Sequence, residues 1–234
     1  SQVNVDILGV PVQVTLDTGY PFHNELGFTV STKAPVRFSL LLRIPSWSDD
    51  AQLIVANEAH VRPTSGTYAH IEREWSATTH ITLRLSMPTR IWRGYGDAVA
   101  LERGPLVYAL PIAARWRRIH EDAPYRKLPH GDWELYPTSP WNYALDLDPT
   151  SPLPPVEFIE RSMGDSPFSP DGAPVAARVR GRRVLGWHME NGTAADVPPS
   201  PVNSSQPLEQ LELVPYGCTN LWITEFPWLS QRED

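Results

Sequence analysis

Apolar and polar residues alternate along two segments in the first half of the chain. The apolar positions of these segments are Val10, Val12, Val14 and Leu16, then Ile81, Leu83, Leu85 and Met87. A period of two over four positions is typical of a strand with one buried face. Residues 36–45, 51–57 and 66–75 are also strand-like, and the second of them runs into a predicted turn at Asn57-Glu58. The pattern therefore predicts a succession of short strands joined by turns.

Residues 99–112 form the most apolar segment of the chain, and an Arg103-Gly104-Pro105 triplet interrupts it. Glycine permits a positive φ, and proline can start a strand where its missing N–H does no harm. We predict a bulge or sharp bend here, at which the chain changes sheet or leaves the first domain. Arg103 is expected to pair with a carboxylate or to cap carbonyl groups at this bend, rather than to act on a substrate.

The second half of the chain is richer in proline and less regular. Proline-rich segments at 148–155, 162–174 and 196–207 separate short strand candidates, and residues 114–133 are polar and irregular. The strand candidates lie at 133–137, 141–147, 156–160, 174–181, 182–187, 208–217 and 220–227. Twenty-five prolines argue against long helices, because proline removes a backbone donor and clashes inside a helix. We therefore predict an all-β fold of two consecutive antiparallel β-sandwich domains, residues 1–112 and 113–234.

The chain is acidic, with a formal net charge of -7 and a pI near 5.5. This balance argues against nucleic acid or an anionic membrane as a partner. No segment approaches the ~20 apolar residues that span a bilayer, and the first residues lack the pattern of a signal peptide. With one cysteine, no internal disulfide can form. These features favour a cytoplasmic location. The first residue is Ser1 and not methionine, which is also expected if the N-terminus has been truncated.

No complete catalytic motif is present in the sequence. A serine-hydrolase elbow, a P-loop and a dinucleotide-binding glycine motif are all missing. His60, His70 and His80 are ten residues apart, which is not a metal-ligand spacing, and we expect them to lie on the surface or to pack between strands. Adjacent carboxylates at 49–50 and 121–122 do not provide the separation that a glycosidase needs. We therefore predict no catalytic residue and no metal ligand in this chain.

Cys218 is the one candidate for a nucleophile. A nucleophilic cysteine needs a lowered pKa, from a helix N-terminus, a protonated histidine or a metal. Cys218 lies between two predicted strands, without a second cysteine or a histidine close to it in the sequence. We predict that it is a small buried apolar residue with a structural role.

Four tryptophans of the second half are candidates for contact with carbohydrate, namely Trp116, Trp133, Trp141 and Trp187. Aromatic faces can pack against the C–H faces of sugar rings, but large aromatic residues also anchor cores. For any one of the four, the core interpretation is the favoured one. The sequence leaves both alternatives open.

Seven segments in a fixed order resemble a known enzyme family. They are GVPVQVTLDTGYPF (9–22), FSLLLRIPSW (38–47), YAHIEREW (68–75), ITLRLSMPTR (81–90), VALERGPLVYAL (99–110), WNYAL (141–145) and LVPYGCTNLWITEFP (213–227). Together they resemble the C-terminal region of the glycoside hydrolase family 127-like proteins, which include β-L-arabinofuranosidases. The resemblance implies two β-sandwich domains that follow an (α/α)6 barrel. It places the active site in that barrel, with a zinc held by cysteines and a glutamate, one cysteine being the nucleophile.

The resemblance implies a function for the region and partners for it. This chain has neither the barrel domain nor the closely spaced catalytic cysteines of the family, and Cys218 does not inherit their role. We expect a non-catalytic accessory region of a glycoside hydrolase that acts on plant-type, arabinofuranose-containing glycans. The expected partners are the missing barrel domain, a second copy of the chain and carbohydrate, with zinc in the barrel and no cofactor here. A free-standing carbohydrate-binding module is the alternative, and a self-contained enzyme is the least favoured reading.

Overall fold

The computed structural model describes residues 1–56, 61–152 and 154–230. The chain is all-β, with antiparallel sheets and two short 3-10 helices, as predicted. The predicted turn at Asn57-Glu58 and the role expected of His60 lie outside the described residues. Among the described residues, no helix is long and apolar enough to cross a membrane.

Two compact units make up the fold. The first comprises Ser1–Pro88 with Arg103–Pro105, and the second comprises Thr89–Glu102 with Leu106–Asp234. The sequence prediction placed a single boundary at residue 112. The units divide earlier because the strands at 99–103 and 106–111 belong to the sheet of the second unit.

The first unit is a β-sandwich of two unequal sheets. Its strands are β1 (Gln2–Ile7), β2 (Val10–Thr18), β3 (Glu25–Thr32), β4 (Val36–Arg43), β5 (Gln52–Val55), β6 (Tyr68–Trp75) and β7 (Thr78–Arg84). Five strands form one sheet in the order β1-β2-β3-β7-β5, while β4 pairs only with β6.

One apolar cluster joins these two sheets. Val12 of β2 and Ile81 of β7 come from the larger sheet, and Leu42 of β4 and Trp75 of β6 come from the smaller one. Trp75 is 1% exposed. It stacks on Phe38 with ring centroids 5.1 Å apart and donates its indole N–H to the Phe38 carbonyl at 2.9 Å. Most of the alternating residues that predicted β2 and β7, Val12 and Ile81 among them, therefore contribute to this core.

The smaller sheet leaves part of the larger one uncovered. Val5 of β1 pairs with Val12 of β2, so both side chains lie on the same face of the sheet. Val12 is 2% exposed, whereas Val3 and Val5 are 52% and 43% exposed. The core-facing side of the edge strand β1 thus presents valines to solvent. We refer to Val3 and Val5 as the β1 shelf.

The second unit is organised around an eight-stranded sheet. Its strands are β8 (Thr89–Arg93), β9 (Val99–Arg103), β10 (Leu106–Pro111), β11 (Ala114–Ile119), β12 (Asp132–Pro137), β13 (Tyr143–Leu145), β14 (Glu157–Glu160), β15 (Val175–Arg183), β16 (Met189–Glu190), β17 (Thr193–Ala194), β18 (Leu208–Pro215) and β19 (Trp222–Ile223). The 3-10 helices are Tyr95–Asp97 and Tyr216–Cys218. The main order is β13-β15-β18-β10-β9-β8, with β14 added to β15 and β19 added to β10. Separate hairpins are formed by β11 with β12 and by β16 with β17.

Strand β15 is the longest of the second unit and pairs along both of its edges. β18 lies on one edge, and β14 and β13 follow one another along the other. Val175, Ala176 and Ala177 are fully buried, as expected for a strand covered on both faces. Gly181 is required by close packing, because a Cβ there would lie 2.7 Å from the Ala144 carbonyl oxygen of β13.

The Arg103-Gly104-Pro105 triplet forms the turn between β9 and β10, which are neighbours in one sheet. The sharp bend that the sequence predicts is thus present as a hairpin turn, and the chain does not change sheet at it. Gly104 has φ +56°, the positive value required at the first central position of tight hairpin turns. Arg103 is half-buried and Pro105 is exposed.

Two further predictions differ from the observed elements. Residues 114–119, expected to be irregular, form β11, which pairs with β12 along its full length. A separate strand expected at 182–187 is absent, because Arg182 and Arg183 complete β15 and a turn follows. Polarity misled the first prediction, since a solvent-exposed hairpin needs no apolar alternation.

We expect Gly104→Ala to lower the free energy of unfolding by about 1 to 3 kcal/mol. The positive φ strains an L-residue, and a Cβ would lie 2.8 Å from Cγ and 3.2 Å from Cβ of Met87. Urea unfolding measures the loss. In a double-mutant cycle, Met87→Ala should recover part of it by removing the contact while the backbone strain remains. Additive effects of the two substitutions would contradict the assigned contact.

Candidate functional site

Two of the candidate tryptophans lie on the β11–β12 hairpin. Trp116 is 49% exposed and Trp133 is 42% exposed. Trp116 pairs with Leu135 and Arg118 pairs with Trp133, so both indoles lie on one face of the hairpin. Their ring centroids are 6.1 Å apart with an interplanar angle of 76°. This edge-to-face pair is accessible, but the two rings do not form a flat platform.

The other two candidate tryptophans form a second edge-to-face pair. The centroids of Trp141 and Trp187 are 5.1 Å apart at an interplanar angle of 76°. Trp187 is 2% exposed and donates its indole N–H to the Ala195 carbonyl at 2.9 Å. Trp187 therefore lies in the core, one of the two alternatives that the sequence left open, and offers no ring face to a ligand. Trp141 is half-buried.

Trp141 lines two adjoining pockets of the second unit. The first has a volume of about 210 Å³ and is mostly apolar, with Leu135 and Trp222 in its wall. The second has a volume of about 380 Å³ and includes Arg183 and His188. Pro137, Trp141 and Met189 belong to both linings. The two pockets therefore adjoin at these residues, and we call them together the Trp141 groove, with Leu135 and Trp222 at its apolar end and Arg183 and His188 at its polar end.

A buried amide holds the arginine of this groove in place. Arg183 donates from Nε and Nη2 to the Asn142 Oδ1, each at 3.3 Å. Asn142 is 8% exposed, and its Nδ2 donates to the carbonyl oxygens of Val184 and Trp187 at 3.0 and 2.8 Å. Because its amide is bonded on both sides, Asn142 fixes the position of the guanidinium. The pairing of β13 with the end of β15 brings these two residues together.

Tyr143 lies directly opposite Arg183 in the β13–β15 pair. Its hydroxyl donates to Glu209 Oε2 at 2.9 Å, and the ring is 4% exposed. Burial, followed by the hydrogen bond to the Glu209 carboxylate, raises the pKa of Tyr143 to about 12. The folded state therefore favours the neutral form of the Tyr143 hydroxyl.

Two carboxylates of the second unit have a lowered pKa. The side-chain hydrogen bond from Arg93 lowers the pKa of Asp97, with Arg93 Nε and Asp97 Oδ1 2.6 Å apart. Hydrogen bonds from the hydroxyl and backbone N–H of Thr150 lower the pKa of Asp148. A general acid needs the opposite shift. Both carboxylates are therefore suited to fixing loops rather than to proton donation.

Cys218 has the environment of a structural residue. It is fully buried, and its thiol donates to the Pro167 carbonyl at 3.2 Å. Burial raises the pKa of the Cys218 thiol, which opposes formation of a thiolate. In the described part of the chain, no group of three or more His, Cys, Asp or Glu side chains could hold a metal. A lone buried thiol with a raised pKa does not fit the cysteine-rich zinc site that the family resemblance implies for the barrel.

Sequence reasoning missed several aromatic and polar groups near Trp141. Trp222, 38% exposed, contacts Tyr216 edge to face with centroids 4.9 Å apart, and it also lines the apolar end of the groove. Asn142 and Arg183 were seen only as parts of strand segments. The one available signal in the sequence was the pair Arg182-Arg183, which precedes the apolar run at 184–187. Two cations next to an apolar segment need polar partners, so the pair indicates that such partners lie nearby.

We expect native Cys218 to react with a thiol reagent roughly a hundred-fold or more slowly than the unfolded chain does, because burial and the raised pKa both suppress the thiolate. Colour development with an aromatic disulfide reagent measures the rate. The same chain in denaturant is the control and should release one equivalent, since Cys218 is the only cysteine. Fast reaction of the folded chain would disprove the burial.

We expect the hydroxyl of Tyr143 to stabilise the fold below pH 10 and to lose this effect as pH rises from 10 to about 12, because folding raises its pKa. The shift corresponds to about 2 to 3 kcal/mol. The difference in unfolding free energy between the parent chain and Tyr143→Phe should shrink by that amount over this interval. Tyr125→Phe, at a 76% exposed position, is the matched control. A constant difference would disprove the assignment.

Comparison with known proteins gives a match over the first unit. Residues 1–87 match the family model described as the β-L-arabinofuranosidase, GH127 middle domain. This range agrees closely with the continuous part of the first unit, Ser1–Pro88. No protein with a curated description matches the chain.

Solved structures match the fold over nearly the whole chain. A GH127 β-L-arabinofuranosidase from Geobacillus stearothermophilus T6 has a TM-score of 0.58 at 22% identity, covering 99% of this chain and 32% of that one. A structure described as a glycoside hydrolase gives 0.61 at 19% identity, covering 98% and 34%. A GH127 β-arabinofuranosidase gives 0.53 at 14% identity, covering 97% and 33%. The chain thus spans about a third of the length of these structures. The resemblance to glycoside hydrolase family 127 that the motifs predict is confirmed, by a family match on residues 1–87 and by the fold of the whole chain.

Proposed function

We propose that this chain is the non-catalytic accessory β-sandwich region of a glycoside hydrolase that acts on plant-type, arabinofuranose-containing glycans. The observation that carries the proposal is the match of residues 1–87 to the GH127 middle domain. The fold likeness over 97% to 99% of the chain, against only about a third of each solved structure, supports it. In this proposal the catalytic barrel, with its zinc, belongs to the rest of the polypeptide.

The chemistry of the described residues supports a structural role. Cys218 is buried with a raised pKa, the opposite of what a nucleophilic thiolate needs. Asp97 and Asp148 have lowered pKa values and short-range partners that hold them as anions. An accessory region needs none of these groups to be reactive.

The β1 shelf is our candidate for the surface that contacts the catalytic domain. Val3 and Val5 continue the core face of the first sandwich beyond the strands that the β4–β6 sheet covers. Exposed apolar side chains at the edge of a core are typical of a surface that another domain covers. The greater length of the related structures argues for a further domain as the occupant. A second copy of this chain is the other outcome of the test.

The mass of the natural polypeptide tests the proposal directly. An antibody raised against this chain should detect a protein about three times its length in the source cells, because the chain covers about a third of the related structures. The purified natural protein should then hydrolyse an aryl β-L-arabinofuranoside, while the 234-residue chain alone should not. A natural mass of 26.3 kDa, or hydrolysis by the chain alone, would overturn it.

We expect Val5→Glu to weaken binding of the chain to its separately expressed catalytic domain by roughly ten-fold or more, because a charge would be buried in an apolar contact. The free energy of unfolding of the chain itself should change by no more than about 1 kcal/mol at this exposed position. Calorimetric titration measures the binding. Asn4→Glu, on the opposite face of the same strand, is the control and should bind as the parent does. If Val5→Glu instead converts a dimer into a monomer, the shelf is a contact between copies.

A free-standing carbohydrate-binding module is a second candidate, favoured by the exposure of Trp116 and Trp133. Both indoles lie on one face of the β11–β12 hairpin, where a sugar ring can reach them. Titration with arabinan oligosaccharides should then quench tryptophan fluorescence in the parent chain and less in Trp116→Ala. Absence of quenching at millimolar sugar would exclude this candidate without affecting the accessory proposal.

A further inference from the structure

We propose that the Trp141 groove is a binding site for an acidic sugar, in which the ring packs on Trp141 and the carboxylate pairs with Arg183. This inference goes beyond the proposed function, since it concerns a separate site with its own ligand. It applies whether or not the chain is part of a hydrolase.

Arg183 differs from Arg178 and Arg180 of the same strand, both of which have a carboxylate partner. Arg178 pairs with Glu157 at 3.6 Å and Arg180 pairs with Asp146 at 2.9 Å. The guanidinium of Arg183 has only the neutral Asn142 amide oxygen as acceptor, and within the described chain no carboxylate lies within ion-pair distance of it. A half-buried cation without a counter-charge is costly unless a ligand supplies one.

The Arg183 guanidinium is also oriented to bind a planar anion. Asn142 is bonded to the carbonyl oxygens of Val184 and Trp187, so it holds the Nε and Nη2 edge of Arg183 in one orientation. The remaining N–H groups of the fork are left for a ligand. A carboxylate matches this geometry better than a hydroxyl does, because two parallel N–H···O bonds can form with a full negative charge.

The rest of the groove suits a sugar ring. Trp141 provides aromatic surface at the junction of the apolar and polar ends, next to Met189. The hydroxyl-bearing residues Thr138 and Ser139 line the polar end. Ser139 Oγ accepts from the Ala113 N–H at 3.0 Å, which leaves its own hydrogen to donate. A volume of about 380 Å³ at the polar end lies within the range of roughly 300 to 1,000 Å³ that small-molecule sites occupy.

The charged groups near the polar end have partners other than the arginine. The His188 ring is engaged by the Gly186 carbonyl at 2.9 Å and by Glu190 at 3.3 Å. Glu209 accepts a hydrogen bond from the Tyr143 hydroxyl and, like the other described carboxylates, is not within ion-pair distance of Arg183. The charge of Arg183 therefore remains available to a carboxylate that enters the groove.

Calorimetric titration of the chain with digalacturonic acid tests the proposal, with the carboxyl-reduced disaccharide as the matched neutral ligand. We expect the acidic disaccharide to bind roughly ten-fold or more tightly than the neutral one, because only the carboxylate forms the charge-assisted pair. Arg183→Gln should abolish this difference. Arg183→Lys should retain part of it, since it keeps the charge but loses the fork. Trp141→Ala should weaken both ligands, whereas Trp116→Ala should change neither.

A second measurement uses the parent chain and therefore does not require that a variant folds. The indole N–H resonance of Trp141 in the parent chain should shift on addition of digalacturonic acid, and that of Trp116 should not. Equal affinity for the acidic and neutral disaccharides, binding unaffected by Arg183→Gln in a folded variant, or a shift confined to Trp116 would each overturn the proposal. No binding of either disaccharide at millimolar concentration would overturn it as well.

Discussion

The second unit depends on the pairing of β15 along both edges. β18 occupies one edge, while β14 and β13 share the other, so a single strand fixes the register of three neighbours. Its first three residues are buried on both faces, and Gly181 lets the backbone of β13 approach closely. The same pairing places Asn142 against Arg183, so the polar end of the Trp141 groove is a direct product of strand register. A one-residue slip would turn every side chain of β13 to the other face.

The two units differ in how completely they bury their apolar surface. In the first, a two-stranded sheet covers a five-stranded one, and the β1 shelf remains outside the cluster formed around Trp75. In the second, the first three residues of β15 are covered on both faces, and exposed aromatic residues lie in hairpins, short strands, 3-10 helices and loops. The first unit therefore leaves an apolar edge exposed, whereas the central strand of the second unit begins in a fully buried segment.

The alternation of apolar and polar residues was sufficient to predict strands that have one buried face and one solvent-exposed face. The alternation at 10–16 and at 81–87 identified β2 and β7, and all of the alternating residues except Leu16 and Met87 belong to the core cluster or pack against it. The pattern failed for β11, because an exposed hairpin with arginines at 115, 117 and 118 has no apolar period. The pattern also could not distinguish the buried Trp187 from the exposed Trp116, since burial depends on packing between segments distant in sequence. For the same reason, the contact between Asn142 and Arg183, 41 residues apart, was not predictable.

The turn at Gly104 has a further consequence for how the chain can be divided. Its three residues, Arg103–Pro105, group with Ser1–Pro88, whereas the strands on either side group with the second unit. The first unit is therefore discontinuous in sequence, and the polypeptide crosses from one unit to the other three times. No single cleavage of the chain releases either unit whole. Expression of residues 1–88 alone would therefore omit Gly104, the neighbour of Met87 within the first unit.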